Sequence, residues 1–418
     1  MERSMRGWTR WVGTGTLLVA LACGGDTSLE PEPTAATVEA LSVLTQEGAA
    51  GEAANHPPEV RVLDASGLPL AGERVTFTTS SGASVTPGEA ITGQDGVARV
   101  TAWTLGDGPG DLTASVAGLA PVVFNATGHP RAFDLTVRWL APPGDEARAA
   151  VESAEAFLER VVWRDLPDEE VVQTPVCARP GVAPPATVDE TIDDVLIFAV
   201  VEPIDGLGGA GAQGYPCLIR DPGTQTIVGL VRFDEAEMSV IDDARRRDFV
   251  LHEMVHALGL VPGLLNIQTP SGFSRSCLAL PSKGAPEQLV QDTHFSCAGA
   301  VAGFDRVGGA RYVGAKVPLE NGATMALTAN TLNHHWRKTS LRNELMTGWF
   351  TAGVSAPFSV TTVGALEDLG YGVTWAAADP FFLDGTIAPT LAPLAAGDGV
   401  PLVEFGPTPP ILVHPSRR

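Results

Sequence analysis

The residues best suited to chemistry lie in one five-residue run, His252-Glu253-Met254-Val255-His256. On a helix, a spacing of four puts the two imidazoles on one face, one turn apart. Two imidazoles so placed reach a single ion of tetrahedral preference such as Zn2+. Glu253 is rotated away from a ligating position, yet it lies close enough to take a proton from water activated by the ion. The same carboxyl can then protonate a leaving amine. A match this short also arises by chance on solvated helices, but here the flanks Phe249-Val250-Leu251 and Ala257-Leu258 are apolar. A helix with such flanks is buried, and two histidines with a carboxylate inside it need partners. The run therefore points to a zinc hydrolase with His252 and His256 as ligands and Glu253 as general base.

Such a site requires a third protein ligand, a glutamate or a later histidine. Glu287 is the best carboxylate on the C-terminal side; the remaining histidines of this part of the chain are His129, His294, His334 and His335, with His414 near the end. Gly259, three residues after His256, stops the helix and lets the chain turn back. Further on stand Asn333-His334-His335-Trp336 and Asn343-Glu344-Leu345-Met346-Thr347-Gly348. Together with the run from His252 to Gly259, these segments resemble leishmanolysin, a branch of the metzincin metalloproteases. In that family the third histidine follows a long insertion, and a methionine turn lies beneath the metal. Position 262 is Pro, so the uninterrupted metzincin pattern is absent and the interrupted one fits. The resemblance implies one catalytic Zn2+ held by His252, His256 and His335, Glu253 as general base and Met346 as the Met-turn residue. It implies a zinc endopeptidase acting on proteins or peptides outside the cell. It covers roughly residues 132–380, without the insertion from 260 to 332. Relatives are often latent through a pro-segment cysteine. The only cysteine before residue 132 is Cys23, so no such switch is expected.

Several elements must position these residues. Phe133, Leu135, Val137 and Trp139 alternate with polar residues, which predicts a strand. Ala147, Val151, Ala154, Leu158 and Val161 recur at helical spacing. Residues 194–201 and 227–233 read as strands, the first a nearly continuous apolar run, and residues 246–260 as the histidine helix. The order predicts an α/β layer. By the resemblance, residues 195–201, 209–217 and 227–233 look like the sheet strands, including the edge strand against which an extended peptide can lie, and 361–372 contains the C-terminal helix. The stretch from 261 to 380 is otherwise turn-rich.

A different module precedes this one. Residues 59–63, 74–78 and 97–102 alternate, and turn signals such as Asp95-Gly96 separate them, which predicts a β-sandwich. Asp64, Gly67, Pro69, Gly72, Val75 and Phe77, then Trp103-Thr104-Leu105-Gly106, resemble the bacterial Ig-like domains of the invasin and intimin type. That resemblance implies a spacer or adhesive module, with contact to a cell-surface or host protein as a further role. The fold class expected is thus multidomain: an N-terminal all-β Ig-like sandwich, then an α/β metzincin-type domain.

Compartment and partners follow from composition. Arg3, Arg6 and Arg10 precede a short apolar run that ends at Ala20-Leu21-Ala22-Cys23, the pattern of an export signal with a lipobox. Cleavage before Cys23 would leave a lipidated N-terminus, which predicts a membrane anchor on the cell envelope, at the outer membrane. No other segment is apolar enough to span a membrane. The net charge of −22 excludes an ordinary nucleic-acid binder. Four cysteines remain; in an exported chain they predict two disulfides, and of three pairings the nearest-neighbour one is expected, Cys177–Cys217 and Cys277–Cys297. The expected division is 1–22 signal, 23–37 linker, 38–128 Ig-like, 132–380 protease and 381–418 a Pro-rich tail. The competing reading is an adhesin or binding protein whose protease-like domain is inactive.

Overall fold

The computed structural model describes residues 33–178, 185–208, 211–279, 293–312, 314–320, 333, 335–351, 353–383, 400–401 and 412–415. The expected signal, Cys23 and most of the linker lie outside the described residues.

Ten short strands open the described chain: β1 (Ala35–Ala40), β2 (Thr45–Ala49), β3 (Glu59–Asp64), β4 (Arg74–Thr79), β5 (Ser84–Thr86), β6 (Glu89–Ile91), β7 (Val97–Arg99), β8 (Ala102–Thr104), β9 (Gly108–Ser115) and β10 (Val122–His129). They form a three-stranded sheet β1-β3-β7, a five-stranded sheet β2-β10-β9-β4-β6 and the pair β5-β8. Alternation drives the packing: Val75 and Phe77 of β4 point inward and meet Trp103, Leu112 and Phe124 in one apolar core. The turn at Asp95-Gly96 needs glycine, because φ is +70° and a Cβ would sit 2.8 Å from the Val62 carbonyl. Two expectations change. β1 starts at Ala35, inside the expected linker. The expected strand 97–102 is two strands, with β7 pairing β3 and β8 pairing β5.

The following region begins with β11 (Leu135–Trp139), α1 (Asp145–Val161), the hairpin β12 (Glu169–Val176) and β13 (Ala186–Ile192), then β14 (Val195–Glu202), β15 (Ala212–Asp221), β16 (Thr226–Asp234), α2 (Glu235–Val240) and α3 (Asp243–Ala257). β11, β14 and β16 run parallel, and β15 joins β16 antiparallel. Side chains of β14 alternate between two cores: Val195, Ile197 and Ala199 face α1 and α3, whereas Leu196 and Phe198 face the β12–β13 hairpin. The sheet is thus covered on both sides, which explains its unbroken apolar strands. The disulfide Cys177–Cys217 ties the hairpin to β15, and Cys277–Cys297 is the second bridge, both as expected.

The rest is short-element structure, as expected: α4 (Pro262–Leu265), the hairpin β17 (Asn266–Gln268) and β18 (Ser274–Ser276), and the small sheet β19 (Leu278–Ala279), β20 (His294–Phe295) and β21 (Val317–Pro318). It also holds α5 (Ala298–Arg306), α6 (Lys338–Leu341), β22 (Trp349–Phe350) and α7 (Val360–Asp368). α5 and α7 touch backbone to backbone, since a Cβ on Gly364 would lie 2.2 Å from the Gly299 carbonyl. The described parts of the tail are not loose: β23 (Val400–Pro401) pairs antiparallel with β22, and β24 (Leu412–Pro415) pairs parallel with β15. No described helix is long and apolar enough to cross a membrane.

The two regions meet at a polar seam. Buried Asn55 donates to the Val373 carbonyl at 2.8 Å and accepts from the Trp375 amide at 2.9 Å. Arg131 donates to the Arg160 carbonyl at the end of α1, and His129 stacks on Trp163.

Candidate metal centre

α3 begins three residues earlier than its apolar pattern predicts. Asp242 caps it by accepting from the Arg245 amide at 2.9 Å. It ends at Ala257 rather than residue 260, and Gly259 turns the chain at φ +118°. β15 lies directly on it: a Cβ on Gly214 would fall 2.0 Å from the Glu253 carbonyl. Thr226 of β16 donates its hydroxyl to the Ala257 carbonyl. The helix is therefore clamped to the sheet along the very turn that carries the two histidines.

His252, His256 and His335 converge. Their Nε2 atoms are 3.0 Å apart for His252–His256 and 3.1 Å for each pair with His335. All three are fully buried, as is Glu253. His252 Nδ1 donates to the Leu345 carbonyl at 2.8 Å, and His256 Nδ1 donates to the Leu260 carbonyl at 2.7 Å. A carbonyl partner forces the proton onto Nδ1 and leaves a lone pair on Nε2. Lone pairs facing one another at these distances call for a cation. The spacing is close to the edge of about 3.3 Å in a tetrahedron with metal–nitrogen bonds of 2.0–2.1 Å. The donor set and its geometry fit a zinc ion.

His335 is brought 79 residues from His256 by ties on both sides. Its carbonyl accepts from the Glu320 amide at 2.9 Å, and the amide of its neighbour Trp336 donates to the Met346 carbonyl at 2.8 Å. The Trp336 indole donates to the Thr362 hydroxyl at 2.8 Å. Met346 is fully buried, in the turn that follows. Its amide donates to Glu344 Oε2 at 2.6 Å. Glu344 Oε1 accepts from the Ser359 amide and hydroxyl and from the Thr362 hydroxyl at 2.6 Å. Burial pushes the Glu344 carboxyl up to about 7, against those hydrogen bonds. Phe350 of β22 stands edge-on to His252 with ring centres 5.8 Å apart, and Lys338 Nζ holds β22 through the Trp349 carbonyl.

The remaining candidates are elsewhere. His129 sits at the seam, His294 in β20 and His414 in β24. Glu287 and His334 lie outside the described residues. A second acidic trio, Asp165, Asp193 and Asp194, brings carboxylates within 4.8 Å. Two of the three are exposed, and Asp194 is used to cap the amides of Asp134 and Leu166. Sequence reasoning misses the Leu260 and Leu345 carbonyls, since backbone acceptors leave no mark in residue type. It also misses Glu344, whose signal is available: a lone carboxylate two residues before the methionine.

Comparison with known proteins reaches the first region. Residues 39–129 match the family model of the bacterial Ig-like domain (group 1). Among solved structures the chain is similar to invasin, described as a bacterial integrin-binding protein, at 33% identity, covering 23% of this chain and 20% of that one, with a TM-score of 0.20. It is similar to the D0-D1 domain of intimin at 24% identity, over 22% of this chain and 48% of that one, with a TM-score of 0.18. A C-terminal 282-residue intimin fragment, solved with the intimin-binding domain of the translocated intimin receptor, is 25% identical over 22% of this chain and 31% of that one, with a TM-score of 0.17. The chain thus spans less than half the length of each. No curated protein matches it. The chain carries an N-terminal all-β bacterial Ig-like domain, and a mixed α/β region that holds the three histidines follows it.

Proposed function

We propose that the α/β region is a zinc endopeptidase of the leishmanolysin-like metzincin type, with His252, His256 and His335 as ligands and Glu253 as general base. One observation carries the reading: three buried Nε2 atoms within 3.1 Å of one another, with the Glu253 carboxylate on the same helix. Zinc, when bound there, supplies Lewis acidity that makes water a nucleophile near neutral pH and polarises a carbonyl. The chain's own residues do the rest. The Leu345 and Leu260 carbonyls hold two imidazoles in the ligating tautomer. Glu253 takes the proton of the attacking water on a carboxylate oxygen and hands it to the leaving amine. The Met346 turn, pinned by Glu344 and Trp336, forms the floor. β15, the strand beside α3, would offer an extended peptide main-chain groups along the outer side that β24 pairs only over residues 218–221. The lipid on Cys23, at the outer membrane, would tether this activity to the envelope, with the Ig-like domain beside it.

The test is direct. Full-length protein is expected to bind one zinc ion per chain and to cleave casein. Glu253→Ala should keep the zinc and lose activity by a factor of roughly 10²–10⁴ or more. Stoichiometric zinc without hydrolysis of any peptide library would sink the enzymatic reading.

The Ig-like match favours a second reading, a surface adhesin with an inert metal site. Invasin is described as integrin-binding. On this reading full-length protein adheres to integrin-bearing cells equally well with or without Glu253, and wild type hydrolyses nothing.

A further inference from the structure

The described part of the C-terminal segment adds a strand to each of two edges, one beside His252 and one beside the C-terminal end of the histidine helix. β23 pairs with β22, with Val400 opposite Phe350, and the Phe350 ring stands against His252. β24 pairs with β15, matching Leu412 to Leu218 and Val413 to Ile219. Ile219 lies opposite Thr226, whose hydroxyl bonds the carbonyl of Ala257, the residue after His256. Val413 also packs on the core that contains α3. The whole of β15 is buried, and His252, Glu253, His256 and His335 show no exposed surface. A site that turns over substrates needs an entry path, and an extended peptide needs a free strand edge.

We propose that the segment carrying β23 and β24 is a built-in inhibitor, which occupies by strand pairing the edges that an extended peptide substrate would use. The inference rests on the peptidase reading above. A tethered strand acts at an effective concentration on the order of millimolar, so pairing that is weak in isolation keeps the closed form dominant. Substrate affinity then falls by the fraction of molecules that are open. Release of the segment, by a cut before it or by a partner that pairs with it, switches the enzyme on. A strand that only shields the sheet edge from aggregation would look alike but would leave the site no less reachable.

The test uses the full chain and a triple variant, Val400→Pro/Leu412→Pro/Val413→Pro, whose prolines remove amide donors from both added strands. Three properties are read: hydrogen exchange of amides 218–221, affinity for the tripeptide hydroxamate Pro-Leu-Gly-NHOH, and casein cleavage. The proposal expects faster exchange, with affinity and cleavage both raised about tenfold or more. It is overturned if exchange quickens while affinity and cleavage stay at wild-type values, and equally if exchange at 218–221 is unchanged. In those two cases the peptidase reading stands, provided wild type holds one zinc that His335→Ala loses. No bound zinc in either protein would overturn that reading, and this proposal with it.

Discussion

Glu344 shows how one buried carboxylate can organise a site it does not enter. It joins the Met346 turn to the start of α7, and through Thr362 to the indole next to His335. Its ordinary ionisation near 4.5 moves to about 7 in the folded chain, because burial disfavours the anion. Between those pH values only the folded state holds the proton. The stability this group contributes is therefore whole below about 4.5 and is lost as pH rises to about 7. The loss is on the order of 3 kcal/mol. Glu344→Gln keeps the shape and removes the titration. Other carboxyls, half-buried Glu155 and Asp368 and buried Asp194, are also pushed up, so the informative quantity is wild type minus variant. Thermal unfolding at pH 5 and pH 8 should show wild type losing more stability than the glutamine variant; equal losses would remove the titration from Glu344. His335→Ala belongs to the same scale. It deletes one of three donors and is expected to abolish stoichiometric zinc binding, measured by metal analysis after dialysis, whereas a glutamate third ligand elsewhere would leave it intact.

Among elements, the contact of β15 with α3 sets the position of the histidine turn. Gly214→Ala would place a methyl 2.0 Å from the Glu253 carbonyl, a backbone atom that cannot rotate away. Strand and helix must separate, at a cost of about 1–3 kcal/mol. On the proposed peptidase reading, a shift near 1 Å at Glu253 would reduce activity about a hundredfold. Calorimetry and casein cleavage check both, and an unaltered Gly214→Ala variant would show that this clamp does not govern the site. The same elements explain what is legible in sequence. β14 and β16 can be read as unbroken apolar runs because their sheet is covered on both faces, and α1 because Ala147 to Val161 follows one helical face. The β12–β13 hairpin escapes because its register shifts between Val171 and Thr174, where Gln173 takes φ +42° and breaks the alternation. α5 escapes because Gly299 and Gly303 lower its helical propensity, and they are there to let α7 approach. The His252–His256 pair is readable as chemistry from spacing alone. His335 is not, since nothing local marks a histidine whose neighbours in the cluster are 79 and 83 residues away; only the family resemblance singles it out.

For the whole molecule, the seam decides whether the two regions behave as one body. Asn55 is buried and satisfies the Val373 carbonyl and the Trp375 amide together. Asn55→Ala leaves both without their partner, at about 1–3 kcal/mol each. Wild type is expected to unfold in one calorimetric transition and the variant in two, with the Ig-like region melting apart from the α/β region; two transitions in wild type would show that the seam does not couple them. The seam has a consequence for ancestry as well. A β-sandwich joined by a slack linker can be exchanged for another during gene rearrangement, because its neighbour asks nothing of its surface. Here the neighbour asks for an amide at position 55, a guanidinium at 131 and an imidazole at 129. A foreign sandwich inserted in that place would leave the Val373 carbonyl and the Trp375 amide without their partner. Exchange of the sandwich is therefore expected to cost stability, and in related chains the residues of the seam are expected to change in step.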